Sequence, residues 1–244
     1  LHFYDAWYNI YSYSYFPKKG GVVILTSEQF GQVLSGTVIM IEIALVAVIA
    51  GAVFGVIIAL GRMSKNKIAN AICWFYVWFF RGTPLLLQLF MIYFMIPIMY
   101  HDMTGGTLTI DPLFCAFVAF SLNSTAYMSE IIRAAIESID HGQMEAAKAL
   151  GMNHAQAMTK IIIPQTFKRL VAPLGNELIM LLKDTSLVST IALYDVLRAS
   201  KTMASSTGNW VYYLYAAAIY LFLTTVLQIV FDKLEERFGA YEKR

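Results

Sequence analysis

The chain has 244 residues, 58% of them hydrophobic and only 14% charged, with a formal net charge of +2 and a mean hydropathy of +0.60. Soluble domains are about half apolar and about a quarter charged, so this balance excludes a soluble protein, and so weak a net charge gives no reason to expect a nucleic-acid partner. The lack of alternating strand patterns excludes a β-barrel, leaving an all-α membrane protein with spans of about 20 residues.

Residues 1–31 form an external segment rich in aromatics, with "FYDAWYNIYSYSYF" at 3–16. This run reads as an aromatic belt at the membrane interface or as a docking surface for an external partner. The sequence opens at Leu1 without a basic-then-apolar leader, which leaves room for a receptor domain fused upstream.

Apolar windows predict five spans near 32–60, 70–99, 112–136, 168–195 and 209–231. In the first, Ala47, Gly51, Gly55 and Ala59 recur every four residues and form a smooth ridge for close helix packing. Glu42, also in this span, is a candidate ion-pair partner for a charge on another helix.

The second run is about 45 Å long as one helix, too long for one upright span and too short for two. It contains "FFRGTPLLLQLF" at 79–90. Gly82 loosens the backbone, Thr83 suits an N-cap and Pro84 suits the first helical position, so a half-helix is predicted to start there. Arg81 then falls about 16 Å into the run, near the midplane. A cation beside a helix N-terminus favours an anionic group such as a substrate carboxylate; the competing reading is a kinked packing helix whose arginine pairs with a neighbouring carboxylate.

The third span opens with the cap-then-proline pair Asp111-Pro112 and carries Asn123, Tyr127, Glu130 and Glu137 on one face. Such a stripe belongs against protein or water. Glu130 is spaced to pair with Arg133. In the fourth span, "LGNELIMLLKDTSLVS" at 174–189 puts Asn176, Met180 and Lys183 on one face and Glu177 and Asp184 on another, so the adjacent Lys183 and Asp184 are each expected to find an ion-pair partner on a different helix. Cys73 and Cys115 lie inside apolar runs and read as small hydrophobes. No metal site is predicted.

Between the third and fourth spans, "EAAKALGMNHAQAMTKIIIP" occupies 145–164. Glu145 to Leu150 favours helix, Gly151 suits a left-handed C-cap, and Asn153 caps a second helix running to Ile163, where Pro164 is expected to stop it. Two short helices jointed at a glycine make a rigid lever. Twelve Lys and Arg flank the spans on this lever's side against four, Lys18, Lys19, Arg198 and Lys201, on the other. The positive-inside rule therefore places the lever and the C-terminus in the cytoplasm and the N-terminus outside.

Glu145-Ala146-Ala147, then Gly151, Ile161 and Pro164, resembles the EAA loop of ATP-binding-cassette importer permeases, with Ile163 where the family usually has leucine. The stretches "FRGTPLLLQLF" (80–90), "AYMSEIIRAAIESI" (126–139), "GQMEAAKALG" (142–151) and "NELIMLLKDTSL" (176–187) resemble the polar amino-acid subfamily, the likeness running from about residue 32 to 238. The resemblance implies a type I importer transmembrane domain over 32–238, with five transmembrane helices, a cytoplasmic coupling loop at 140–165 and a tail at 239–244, in a bacterial cytoplasmic membrane. It implies a second permease copy, identical or paralogous, and a substrate-binding protein. It also implies a separate ATPase that holds the ATP and Mg, since this chain lacks "GxxxxGK[ST]" and needs no cofactor. Glu145, Ala146, Ala147, Gly151 and Pro164 are then the coupling residues. Arg81, Thr83, Gln88, Asn123 and Lys183 are the candidate substrate contacts.

Three other readings are weaker. A permease for another small solute would keep the same architecture. An ion-coupled secondary transporter would often show inverted repeats, which five spans do not give, and would leave the EAA segment idle. An intramembrane enzyme needs a constellation that His2, His101, His141 and His154, all outside the spans, do not supply, and neither "HExxH" nor "GxSxG" occurs.

Overall fold

Helix α1, Ser27–Arg62, starts from a capping box in which the Gln29 amide donates to Thr26 Oγ1 and the Thr26 amide donates to Gln29 Oε1, satisfying donors that a helix start leaves free. The computed structural model describes residues 25–239; the aromatic run at 3–16, Lys18, Lys19, Lys243 and Arg244 lie outside the described residues. Asn66 caps α2, Lys67–Gly82, and after two extended residues α3 follows as Leu85–Thr104, with a π-helical turn at Met91–Met95. Asp111 caps α4, Pro112–Glu137, by accepting from the Phe114 amide at 2.9 Å, and Pro112 fills the first turn as its fixed φ favours.

Two short helices, α5 (His141–Ala149) and α6 (His154–Ala157), precede a π-helical turn at Met158–Ile162 that leads into α7, Ile163–Asp184. A 3-10 turn at Thr185–Ile191, α8 (Val196–Thr207) and α9 (Val211–Gly239) complete the described chain.

Among the described residues, three stretches are long and apolar enough to cross a membrane by themselves: Ser27–Arg62, Leu85–Thr104 and Val211–Phe238. The expected span at 70–99 is thus divided, with α3 alone meeting the criterion. Helices α4 and α7 have the length, 26 and 22 residues, but too much polarity. Their polar groups turn inward: Asn123, Ser124, Thr125, Ser129 and Glu177 are buried, as polar side chains at membrane depth require.

The small-residue ridge decides how α1 and α4 meet. Ala47 and Ala59 are fully buried, Gly51 lies against Ser124, and Gly55 lies against Met128. Contact positions rise together along both helices, so α1 and α4 run parallel and close. Ala59 shares a cluster with Ile132, Ala135 and Leu170, while Leu181 packs with Ala119 and Phe120, so α7 runs antiparallel to α4. Gly175 against Phe231, and Leu182 against Ala216, set α9 antiparallel to α7.

This topology gives the bundle two distinct ends. One gathers the α1–α2 turn, the α5–α6 hairpin and the end of α9. The other carries α8, packed on the start of α1 through Val33, Ala199 and Met203.

Helix α8 replaces an expected loop. Asp195 caps it by accepting from the Leu197 and Arg198 amides at 3.2 and 2.9 Å, and Val196, Ala199, Met203 and Ala204 bury the spacing of an amphipathic helix. Gly36 admits the α8 cap, since a Cβ there would stand 2.7 Å from the Asp195 carbonyl carbon. Glu42 is exposed and has no ion pair among the described residues.

Candidate functional site

The break between α2 and α3 is built by Thr83 and Pro84, with ψ of 144° and 136°. A proline disfavours the helical region for the residue before it, so Thr83 leaves the helix. Its side chain does not act as the expected N-cap. Thr83 Oγ1 donates back to the Phe79 carbonyl at 2.8 Å, Pro84 rather than Thr83 holds the cap position, and α3 starts with no side-chain cap.

Two carboxamides satisfy the carbonyls freed by the break. Gln88 Nε2 donates to Phe80 O at 2.9 Å and to Thr83 O and Oγ1 at 3.1 and 2.8 Å. Asn123 Nδ2 donates to Gln88 Oε1 at 3.1 Å and Phe80 O at 3.2 Å. Gln88, 2% exposed, is turned away from any open space. Its position clamps the break instead of offering a ligand contact.

Beside the break lies a cavity of about 430 Å³ between α2, α3, α4 and α7. Its polar wall is made by Arg81, Thr83, Asn123, Tyr127, Glu177 and Asp184. The α3 start also lines it through Leu85 and Leu86, whose amides are among the donors that a helix leaves free at its N-terminus. Lys183 is exposed and outside this wall. The ion pairs expected of Lys183 and Asp184 do not form among the described residues, because Asp184, like Glu177, faces the cavity and Lys183 faces out.

Arg81 reaches back along α2, following the tilt of helical side chains toward the N-terminus. Its guanidinium lies 5.1 Å from the Tyr127 ring centre and its Nη1 3.8 Å from Glu130 Oε2. Glu130 also binds Arg133 Nη2 at 2.7 Å and Arg62 Nε at 3.4 Å, and Arg133 Nη1 reaches Glu137 at 2.5 Å. Three arginines from three helices thus converge on one carboxylate. The Arg133 pairing was legible from its spacing; Arg62, 68 positions from Glu130, carried no local signal.

At the bundle end stands the hairpin. The Met152 amide donates to Ala147 O at 3.0 Å and the Gly151 amide to Lys148 O at 2.9 Å, with Gly151 at φ +81°. This is the paired hydrogen bonding of a Schellman motif. Asn153 and Gln156 form a capping box for α6. Ala147 and Ala157 are buried, while Glu145, Ala146, Gly151 and Leu150 are exposed, Leu150 to 82%.

Pro164 does not stop the helix as expected. It sits in the first turn of α7, directly after the π-turn in which Ile163 N donates to Met158 O. The wider turn takes up a ring that a regular helix interior would reject, and Gln165 and Thr166 side chains donate to Ile161 O and Ile162 O, both at 2.9 Å. A helical path therefore leads from the hairpin to the cavity wall.

Comparison with known proteins places this architecture. Residues 51–239 match the family model described as binding-protein-dependent transport system inner membrane component. The chain is 38% identical over 212 residues to the arginine transport system permease protein ArtQ of Bacillus subtilis (strain 168), covering 87% of this chain and 94% of that one. It is 37% identical over 220 residues to the L-cystine transport system permease protein TcyB of the same organism, covering 89% and 91%. A crystal structure of an amino acid ABC transporter with histidines superposes with a TM-score of 0.80 at 35% identity, over 89% of this chain and all of that one. An all-α bundle with a polar cavity and a doubly capped hairpin, matched by that family model over residues 51–239, belongs to the binding-protein-dependent transport system inner membrane components.

Proposed function

We propose that this chain is the permease subunit of an ATP-driven importer of polar amino acids. The observation that carries the reading is the cavity at the α2–α3 break, where Arg81 and the free amides of α3 share one wall. Together they offer a positive charge and hydrogen-bond donors to one anionic group, the arrangement suited to an α-carboxylate. Thr83 and Asn123 stand beside it as polar contacts. The relatives named for arginine and L-cystine, and the amino acid transporter structure, point to the same substrate class.

ATP and Mg belong to a separate ATPase, and the chain itself is not catalytic. The α5–α6 hairpin docks on that ATPase, with Glu145, Ala146, Ala147, Gly151 and Pro164 shaping the contact and its connection to the bundle. Closure of the ATPase pushes the hairpin. Because α6, the π-turn and α7 form one helical path, the push moves Glu177 and Asp184 against the α2–α3 wall and changes which end of the cavity is open.

The hairpin end faces the cytoplasm and the α8 end faces outward, where a binding protein delivers substrate. Supporting this orientation, Arg62, Lys67, Lys148, Lys160 and Arg169 all belong to segments at the hairpin end. A second permease copy, identical or paralogous, covers the face bearing Asn176 and Lys183, which are exposed although they lie in α7.

The test is reconstitution. Liposomes holding the permease, its ATPase and its binding protein accumulate a labelled polar amino acid only with ATP on the hairpin side. Accumulation driven by an ion gradient without ATP contradicts the proposal.

A further inference from the structure

A second cavity, of about 480 Å³, lies away from the polar one, in the fork between α1, α2 and α4. Its α1 wall is Ala50, Phe54, Ile57 and Ile58, spaced i, i+4, i+7 and i+8 on one helix face. That face flanks the ridge of Gly51, Gly55 and Ala59 packed on α4, so the groove follows the α1–α4 seam. Phe117 and Leu122 of α4 and Tyr76 of α2 form its other sides. No charged side chain lines it among the described residues, and the Tyr76 hydroxyl is already spent, donating to Leu122 O at 2.7 Å. Such a wall has little to hold a polar solute with. An acyl chain needs no polar partner and gains dispersion contact along it, and Phe54 and Ile57 are exposed, which opens the groove sideways to the bilayer.

Depth and charge select the kind of chain. Ile58 lies four residues, and Ala50 twelve, before Arg62 at the end of α1, so the α1 wall runs from about 6 to about 18 Å from that end. That is close to the depth of one leaflet of a hydrocarbon core about 30 Å thick. Beyond its shallow end, the α1–α2 turn carries Arg62, Lys65 and Lys67. Arg62 is paired with Glu130 at 3.4 Å, but Lys65 and Lys67 are exposed and make no ion pair among the described residues. Lysine stems lie along apolar surface and lift their ammonium groups to the interface, where lipid phosphate is the available anion.

A second permease copy does not suit this groove. Its expected face is on α7, where Asn176 and Lys183 are exposed, and α7 contributes no lining residue here.

We infer that the groove between α1, α2 and α4 is a binding site for an anionic phospholipid, with one acyl chain against Ala50 and Phe54 and the headgroup phosphate at Lys65 and Lys67. The test uses the permease–ATPase complex in phosphatidylcholine nanodiscs doped with phosphatidylglycerol or phosphatidylcholine, each carrying a photoactivatable diazirine on the same acyl chain. Labelling of the groove peptides is read by mass spectrometry against that of Leu221 and Phe222, exposed on α9, which report ordinary lipid contact. Relative to that reference, the phosphatidylglycerol probe labels the groove at least fivefold more than the phosphatidylcholine probe.

In the double variant Lys65→Gln, Lys67→Gln, both changes on exposed side chains, the preference drops below twofold. Ala50→Phe fills the groove, and its labelling by the phosphatidylglycerol probe falls at least fivefold while that of Leu221 and Phe222 is unchanged. A preference below fivefold in the unaltered complex overturns the inference without reliance on any variant's folding. Retention of the preference without the two lysines, or of groove labelling in Ala50→Phe, also overturns it. A disulfide between two copies bearing Phe54→Cys, with Cys73 and Cys115 replaced by alanine, would put the second copy in the groove and likewise overturn it.

Discussion

Arg81 and Glu130 stand 3.8 Å apart across the contact between α2 and α4, and the pair joins the two halves of the site. On one side the arginine lines the cavity; on the other, Glu130 ties it to Arg62 and Arg133 near the hairpin end of the bundle. The Arg81 side chain is 44% exposed and that of Glu130 15%, so the arginine is the member free to move toward a ligand.

Replacing Arg81 with alanine removes the charge-assisted contact to the substrate carboxylate, a loss of about 1.5–3 kcal/mol, or roughly a 10- to 150-fold weaker affinity. The ATPase still co-purifies, because Arg81 lies away from the hairpin. Uptake by proteoliposomes and pull-down of the ATPase check the two halves together; undiminished uptake sinks the assignment.

Glu130→Gln leaves Arg62, Arg81 and Arg133 crowded without their shared counter-ion. Breaking a buried pair from one side costs about 3–5 kcal/mol, and the partial exposure here puts the expected loss at the low end. Thermal unfolding of the detergent-solubilised protein should show a lower Tm. Arg133→Gln should cost less, since Glu130 keeps two other arginines. An unchanged Tm for Glu130→Gln would remove the cluster from the account of stability.

Gly55 is where α1 and α4 come closest to backbone contact: an added Cβ would stand 2.9 Å from Met128 Cβ and 3.2 Å from the Ser129 amide nitrogen. Gly55→Val therefore forces the helices apart, costing about 1–3 kcal/mol. Expression level and Tm report it. Gly31, with nothing near its would-be Cβ, tolerates the same change.

At Gly151 the constraint is conformational, since nothing lies within 4 Å of an added Cβ but φ is +81°. Gly151→Val is strained by about 1–3 kcal/mol, whereas Gly151→Asn adopts the left-handed region readily. Stimulated ATP hydrolysis should fail with valine and survive with asparagine. Equal behaviour of the two variants would show that the hairpin's shape is not what couples.

Local punctuation made much of this legible from sequence. Gly-Thr-Pro marked the helix break, Asp-Pro the start of α4, and Gly151 with Asn153 the hairpin, because each acts through its own backbone. What stayed hidden depends on tertiary company. Thr83 carries the chemistry of an N-cap, but Gln88 and Phe79 claim its hydroxyl. Pro164 has the chemistry of a stop, but a π-turn absorbs it. Helix α8 was lost among charged loop residues, though the Val196, Ala199, Met203 spacing held the signal. Lys183 and Gln88, polar and at the right depth, fall outside the cavity wall because depth says nothing of which way a side chain faces.

The central claim is that the hairpin, seated on an ATPase in the cytoplasm, drives the cavity. Leu150→Cys, in a chain with Cys73 and Cys115 replaced by alanine, tests it most directly at the exposed tip. The account predicts a disulfide cross-link to a cysteine placed on the ATPase, with uptake blocked until the bond is reduced, and no labelling by an impermeant thiol reagent added outside intact cells. Labelling from outside, or ATP-driven uptake that continues with the cross-link complete, would contradict it.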